Sequence, residues 1–139
     1  MTRSKKSQSD CPINMALDVL GDAWSLLIVR DLMFKGRDTF KAFLEAEEGI
    51  ASNVLTDRLR KLESRGIVRK LPDKLDARRN VYRLTEMGID LAPLMVELVV
   101  WSAKNFKTGA PKAVIEQMTG NRSQFLKQIR KNWEAAREA

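Results

Sequence analysis

The order of patterns along this 139-residue chain predicts a mainly helical fold with one small β-hairpin. Residues 49–66 have the three-and-four apolar spacing of an amphipathic helix, and a short helical pattern precedes them. Two β-rich segments follow at residues 67–71 and 81–84, separated by a polar, basic stretch. Short helix, turn, longer helix and basic hairpin predict a winged helix-turn-helix, which the other helical segments extend.

The length predicts one domain with terminal additions, long enough for a true core. We expect a disordered basic tail at residues 1–10, a winged helix-turn-helix domain with flanking helices at residues 11–107, and a C-terminal helical extension at residues 108–139.

Composition excludes several classes of protein. No apolar run is long enough to span a bilayer and the N-terminus lacks a secretory signal pattern, so we expect a cytoplasmic protein without a membrane partner. One cysteine and no histidine exclude an internal disulfide and the usual zinc sites, and we predict neither metal nor cofactor. Without histidine or a glycine-rich phosphate loop, we expect no enzyme.

The first helix is predicted over residues 11–21, with Pro12 at its start and Gly21 at its end. Its apolar face consists of Ile13, Ala16, Leu17 and Leu20. Cys11 would lie at the positive end of the helix dipole, which favours a reactive thiolate. A small buried apolar residue is the alternative interpretation of Cys11.

Residues 24–34 are apolar nearly all round and predict one central buried helix. Residues 39–46 predict a short helix with Phe40, Phe43 and Leu44 facing inward, and residues 47–49 predict a turn. This turn leads into the helix of residues 49–66.

The helix of residues 49–66 has two unlike faces. The inward face consists of Ala51, Leu55, Leu59 and Leu62. The opposite face carries hydrogen-bonding groups of the kind that read base edges in the DNA major groove: Asn53, Thr56, Asp57, Arg60 and Ser64. A solvated polar face is the alternative explanation of this stripe when it is considered alone.

Positive charge is concentrated in the predicted helix of residues 49–66 and in the hairpin that follows it. Residues 51–83 hold ten Lys or Arg against four Asp or Glu, whereas residues 11–50 hold four against seven. Lys74, Arg78 and Arg79 lie in the hairpin loop, where a wing places cations near phosphates. A solvated hairpin loop is the alternative interpretation of these three cations. The segregation of charge along the chain indicates a polyanion partner, because a protein that is basic throughout would not show it.

Residues 85–106 predict one long helix capped by Thr85 and kinked at Pro93. Its apolar residues cover more than one face, so a second element or subunit must cover part of it. Packing against the C-terminal segment is the alternative. Residues 108–111 predict a linker, and residues 113–118 and 123–136 predict two further helices.

The chain resembles the HxlR family of winged-helix transcriptional regulators, which are related to the MarR type and act on DNA as dimers. The resemblance rests on ordered motifs from Cys11 to Trp101: Cys11-Pro12, Ala16-Leu17-Asp18-Val19-Leu20-Gly21, Trp24, Gly49-Ile50, Val54-Leu55-Thr56-Asp57-Arg58-Leu59, Leu84-Thr85-Glu86-Met87-Gly88, Leu91, Pro93 and Trp101. Ala51 departs from a serine common in the family, and Ser52 is the alternative helix cap.

The resemblance implies that the first helix and the long helix build a homodimer interface, with Ile13, Leu17, Leu94, Leu98 and Trp101 as candidate contacts. It also makes Cys11 a candidate redox sensor, because several family members sense oxidants or electrophiles through a cysteine at this place. The effector is then an oxidant, an electrophile or another small molecule.

We therefore predict a regulator, expected to be a repressor, that binds double-stranded operator DNA with two half-sites. The candidate phosphate contacts are Arg58, Lys61, Arg69, Lys74, Arg78 and Arg79, and the candidate base contacts are Ser52, Asn53, Thr56, Asp57 and Arg60. Arg58 lies at the edge of the buried face, so a structural salt bridge is its other possible role. A winged-helix protein-interaction module without DNA binding is the alternative function.

Overall fold

The structure is a computed structural model that describes residues 9–138. The disordered tail predicted for residues 1–10 lies outside the described residues except at its last two positions. The chain forms two compact units, the first ending at Gly88 and the second beginning at Ile89. The predicted boundary between a domain of residues 11–107 and a C-terminal extension of residues 108–139 stays a prediction.

The first unit contains helices α1 (Pro12–Leu20), α2 (Ser25–Arg30), α3 (Phe40–Leu44) and α4 (Ser52–Ser64), and the strands β1 (Val68–Pro72) and β2 (Asn80–Leu84). Short helix, turn, longer helix and hairpin occur in the predicted order, which confirms the winged helix-turn-helix. Its core includes Val29, Phe43, Leu55, Leu62 and Val68, each at most 2% exposed.

The predicted central helix of residues 24–34 is shorter than expected. Trp24 precedes α2, and a π-helical turn at Asp31–Lys35 follows it. Ile28 and Val29 are buried as predicted. Asp31 is also buried, where the carboxylate pairs with two arginines, so this segment carries charge inside the unit.

Helix α4 begins at Ser52, three residues after the start of the predicted segment 49–66 and one residue after Ala51, the first residue of its predicted apolar face. Ala51 is exposed and takes the N-cap position with an extended backbone, so its assignment to the buried face was wrong. Ser52 is the first helical residue rather than the cap, which also corrects that alternative. The end is as predicted: Gly66 has φ +82°, and its N–H and that of Ile67 bond back to Glu63 and Leu62.

The two strands pair antiparallel, with Val68 opposite Leu84 and Pro72 opposite Asn80. Tyr82 attaches the hairpin to the helices, because its N–H donates to the carbonyl of Asp38 at 2.8 Å and its ring meets Phe43 edge-on at 5.9 Å. The loop of residues 73–79 projects from this anchored hairpin.

The helix predicted at residues 85–106 is two helices, α5 (Glu86–Ile89) and α6 (Ala92–Asn105). Thr85 caps α5 by accepting from the N–H of Gly88 at 3.1 Å. Pro93 lies in the first turn of α6, where its missing N–H costs no hydrogen bond, so the predicted kink is instead a break before it.

The second unit continues with α7 (Lys112–Gly120) and α8 (Arg122–Glu138), which pack with α6. The buried apolar residues described in this unit are Ile89, Ala92, Met95, Val96, Met118 and Ile129. Among residues 9–138, no single helix is long and apolar enough to span a membrane. One pair, Pro12–Leu20 with Ser25–Lys35, reaches that composition only when taken together and bends by 79°.

Candidate nucleic-acid interface

Helix α4 presents the predicted base-reading residues on one outward face. Ser52, Asn53, Asp57 and Arg60 are exposed, and Thr56 is half-buried. The hydroxyl of Thr56 donates to the carbonyl of Ser52 at 3.0 Å, so its oxygen remains available only as an acceptor. The same helix buries Leu55, Leu59 and Leu62 on the opposite side, which fixes the rotation of the polar face.

A network of ion pairs holds the turn that precedes α4. Arg30 contacts both oxygens of Glu48, at 2.7 and 2.9 Å, and Asp31 at 2.9 Å. Arg37 reaches the same Asp31 oxygen at 3.0 Å. The hydrogen bonds from Arg30 lower the pKa of Glu48 to about 2 and raise the pKa of Arg30. The start of α4 is therefore held by a bidentate pair that stays ionised near neutral pH.

Arg58 turns inward to the loop between α1 and α2. Its Nε lies 3.1 Å from Oδ1 of Asp22, and its Nη1 donates to Oδ2 of Asp57. The contact with Asp22 is an ion pair rather than a well-aligned hydrogen bond. These partners favour the structural salt bridge that the sequence left open for Arg58.

Asp22 is the hub of this contact because it also caps α2. Its oxygens accept from the N–H groups of Trp24 and Ser25, each at 2.8 Å, and from the hydroxyl of Ser25 at 2.5 Å. Burial raises the pKa of Asp22, but the hydrogen bonds from Ser25 and Trp24, with a smaller effect of Arg58, lower it to about 2. Asp22 is therefore an immobile anion beside α4.

A second ion pair joins α1 to the C-terminal end of α4. Arg65 donates to Asp18 at 2.8 Å, and the side chains are 44% and 26% exposed. The two pairs lie along an open groove between α1 and α4, lined by Leu17, Asp18, Gly21, Asp22, Asp57, Arg58, Arg60, Lys61, Ser64 and Arg65. Helix α4 is thus tied to α1 through Asp18 and to the loop after α1 through Asp22.

The base of the wing loop is closed by Asp73 and Arg79. Arg79 donates to Oδ2 of Asp73 at 2.9 and 2.6 Å, and the Asp73 N–H donates to the Arg79 carbonyl at 2.8 Å. Asp73 also accepts from the N–H of Leu75 at 2.9 Å. These hydrogen bonds, with Leu75 first and Arg79 second, lower the pKa of Asp73. The loop therefore has a fixed shape.

Beyond that base, the loop presents exposed side chains. Arg78 is 91% exposed and, among residues 9–138, its side chain pairs only with Asp76, a surface contact of small energy. Lys74 is exposed, and Leu75 is 94% exposed. Arg78 and Lys74 therefore lie exposed on the loop, whereas Arg79 shares its charge with Asp73.

Other predicted cations have mixed positions: Arg69 is exposed on β1 and Lys61 is half-buried on α4. Sequence reasoning missed Asp22, Asp73 and Leu75. An aspartate shortly before a predicted helix is a capping signal, but nothing local indicated that Asp22 meets Arg58. Within residues 9–138, no three acidic or cysteine side chains cluster in a way that would hold a metal ion.

Residues 19–110 match the sequence profile of the HxlR-like helix-turn-helix family. The chain is 33% identical over 93 residues to an HTH-type transcriptional regulator of Synechocystis, sll1512, covering 63% of this chain and 64% of that protein. The chain thus spans slightly less than two thirds of that relative.

Two solved structures are also similar. PA1607 shares 37% identity with a TM-score of 0.68, covering 78% of this chain and 75% of that one. The redox regulator HypR in its oxidized form shares 30% identity with a TM-score of 0.62, covering 70% of this chain and all of that one.

Proposed function

The chain belongs to the HxlR-like helix-turn-helix family and is a transcriptional regulator of the HxlR and MarR-like type, and we propose that it represses transcription by binding operator DNA as a homodimer. One observation carries the proposal. A helix with one buried apolar face and one outward hydrogen-bonding face is followed by an ordered cationic hairpin. Because such a regulator must reach the chromosomal DNA, the proposal includes a cytoplasmic location.

In this proposal, phosphate contacts supply affinity and α4 supplies sequence choice. The phosphate contacts are Lys61, Arg69, Lys74, Arg78 and Arg79, and the base contacts are Ser52, Asn53, Thr56, Asp57 and Arg60. Arg58 is assigned instead to the ion pairs with Asp22 and Asp57, because it would have to break both to reach a phosphate.

A second copy of the chain is the proposed cover for two apolar faces. On α1, Ile13 and Leu17 are 71% and 53% exposed. On α6, Leu94, Leu98 and Trp101 are 41%, 40% and 55% exposed and follow one another at helical spacing. Apolar rows of this kind cost free energy in water, and a two-fold dimer matches an operator with two half-sites.

The dimer is tested by Ile13→Glu and Leu98→Glu, measured separately by light scattering after size exclusion. Each is expected to shift the mass from dimer to monomer, because a charge in the interface loses its water without gaining a partner. Leu75→Glu introduces the same charge at an exposed wing residue and is the control, which should stay dimeric. A dimeric mass for both interface variants would refute these contacts.

Cys11 is proposed as the site where an oxidant or electrophile acts. The thiol is exposed in the chain, so the buried apolar interpretation does not describe it here. It occupies the N-cap of α1 with an extended backbone. The similarity to a protein described as a redox regulator supports an oxidant as the effector, rather than a small molecule that binds without reacting with the thiol.

DNA binding is tested with purified protein on heparin and on random duplex by gel shift. Retention on both, followed by enrichment of one two-fold symmetric sequence from a randomised duplex library, is the expected result. A winged-helix protein-interaction module predicts neither duplex binding nor enrichment, and that result would remove the proposal.

A further inference from the structure

We propose that Asp22 and Arg58 hold the carboxylate of Asp57 in position to accept a hydrogen bond from a base amino group, with N4 of cytosine as the matching donor. The inference rests on the proposed DNA binding and names one specificity-determining residue with its positioning residues. It concerns the identity of a base rather than the existence of binding.

The first step is that Arg58 is committed to protein partners. Its side chain is 21% exposed and lies between two carboxylates, Asp22 on one side and Asp57 on the other. Swinging out to a phosphate would leave the largely covered Asp22 beside an empty space, which is costly for an anion. Arg58 therefore acts through Asp57.

The second step is that Asp22 is itself immobile. Three hydrogen bonds from Trp24 and Ser25 fix both of its oxygens at the start of α2. An arginine that pairs with a fixed anion loses much of its rotamer freedom. Helix α2 thus sets the position of the Arg58 guanidinium on α4.

The third step concerns the free side of Asp57. Its side chain is 70% exposed on the outward face of α4, and Arg58 engages Oδ2. Among the described residues, Oδ1 has no hydrogen-bond partner. An ionised carboxylate only accepts hydrogen bonds, and in the major groove the amino group of cytosine is the donor that suits it. The arginine also offsets the repulsion between this carboxylate and DNA phosphates.

The test is selection of bound sequences from a randomised duplex library with four full-chain variants. Asp57→Ala removes the acceptor. Asp22→Asn keeps an oxygen to cap α2 but loses the charge that holds Arg58. Arg58→Lys keeps the charge but cannot bridge two carboxylates with one planar group. Asp18→Asn is the control, because it breaks the ion pair between Asp18 of α1 and Arg65 at the end of α4 without touching Asp57.

The wild type should favour cytosine at one position per half-site by about tenfold, and Asp57→Ala should abolish that preference. Asp22→Asn and Arg58→Lys should each reduce it to about threefold or less, while preferences at other positions persist. Asp18→Asn should keep the cytosine preference. Thermal denaturation checks folding, and either anchor variant suffices if the other fails to fold.

Two outcomes overturn the inference while leaving DNA binding intact. One is an unchanged cytosine preference in the folded anchor variants, with affinity lowered equally on all sequences. The other is a loss of the same preference in Asp18→Asn, which would mean that helix placement alone governs it. Absence of duplex binding by the wild type would instead refute the proposed function.

Discussion

The wing arginines should respond differently to substitution, because the structure gives them different partners. Arg78 is 91% exposed and makes only a surface ion pair with Asp76 among the described residues, whereas Arg79 closes the loop with the buried Asp73. We expect Arg78→Ala to flatten the salt dependence of DNA binding without changing base preference. Arg79→Ala should weaken binding at every salt concentration, since it loosens the loop as well as removing a charge.

The magnitude for Arg78 follows from counterion release. A phosphate contact contributes about 0.9 to the slope of log K against log salt, so two subunits that each lose one contact lower the slope by about 1.8. Between about 50 and 200 mM salt, a fourfold change, the wild type should lose roughly 12-fold more affinity than the variant. Fluorescence anisotropy of a labelled duplex across this range measures both slopes.

Lys127→Ala is the charge-matched control for this measurement. It removes one exposed cation from α8, outside the basic segment, and should leave the slope unchanged. Arg78→Ala and Arg79→Ala together should lower affinity on cognate and random duplexes alike. A variant that alters base preference but keeps the wild-type slope would refute the assignment of the wing to phosphates.

Three further perturbations test other parts of the site. Arg60→Ala should cost about 1–3 kcal/mol on the cognate duplex and relax specificity at one base pair per half-site; an equal loss on random duplex in the same anisotropy titration would make Arg60 a phosphate contact. Asp22→Asn should lower the free energy of unfolding near pH 7 by about 2 kcal/mol in urea denaturation, because folding lowers the pKa of Asp22 from about 4 to about 2. That stabilisation is present above pH 4 and disappears as the pH falls through 2, so a difference that does not depend on pH would contradict the linkage. Cys11 should be alkylated in the native protein, and Cys11→Ser should abolish the effect of diamide or a quinone on the gel shift. If the thiol reacts only after denaturation, or the serine variant responds like the wild type, the effector acts elsewhere.

The features that the sequence determined are those set by neighbours along the chain. The repeat of Leu55, Leu59 and Leu62 fixed a helix and its buried face, because side chains three and four apart share one side. Gly66 marked its end, since a left-handed backbone costs glycine little. Two β-rich segments and the turn residues between them predicted the hairpin, and the concentration of lysine and arginine predicted its basic loop. Order, type and charge of the elements were therefore local information.

Boundaries were less well determined because several residues satisfy an apolar pattern equally well. Ala51 suits the inner face of a helix, but as the N-cap it takes an extended backbone and is exposed. Pro93 was read as a kink, whereas the chain breaks the helix before it and uses the proline in a new first turn. A pattern gives the period of a helix and says little about where its hydrogen bonds begin.

Only the tertiary structure decided which charged residues face outward. Arg58 and Arg60 have the same chemistry and lie two positions apart on one helix. The fold sets Arg58 beside the Asp22 anion and leaves Arg60 exposed. Likewise, the buried Asp73 pairs with Arg79, while Arg78 stays exposed in a surface pair with Asp76. Ion pairing depends on distances between residues that are far apart in the chain or brought together by a turn, and composition and spacing do not contain those distances.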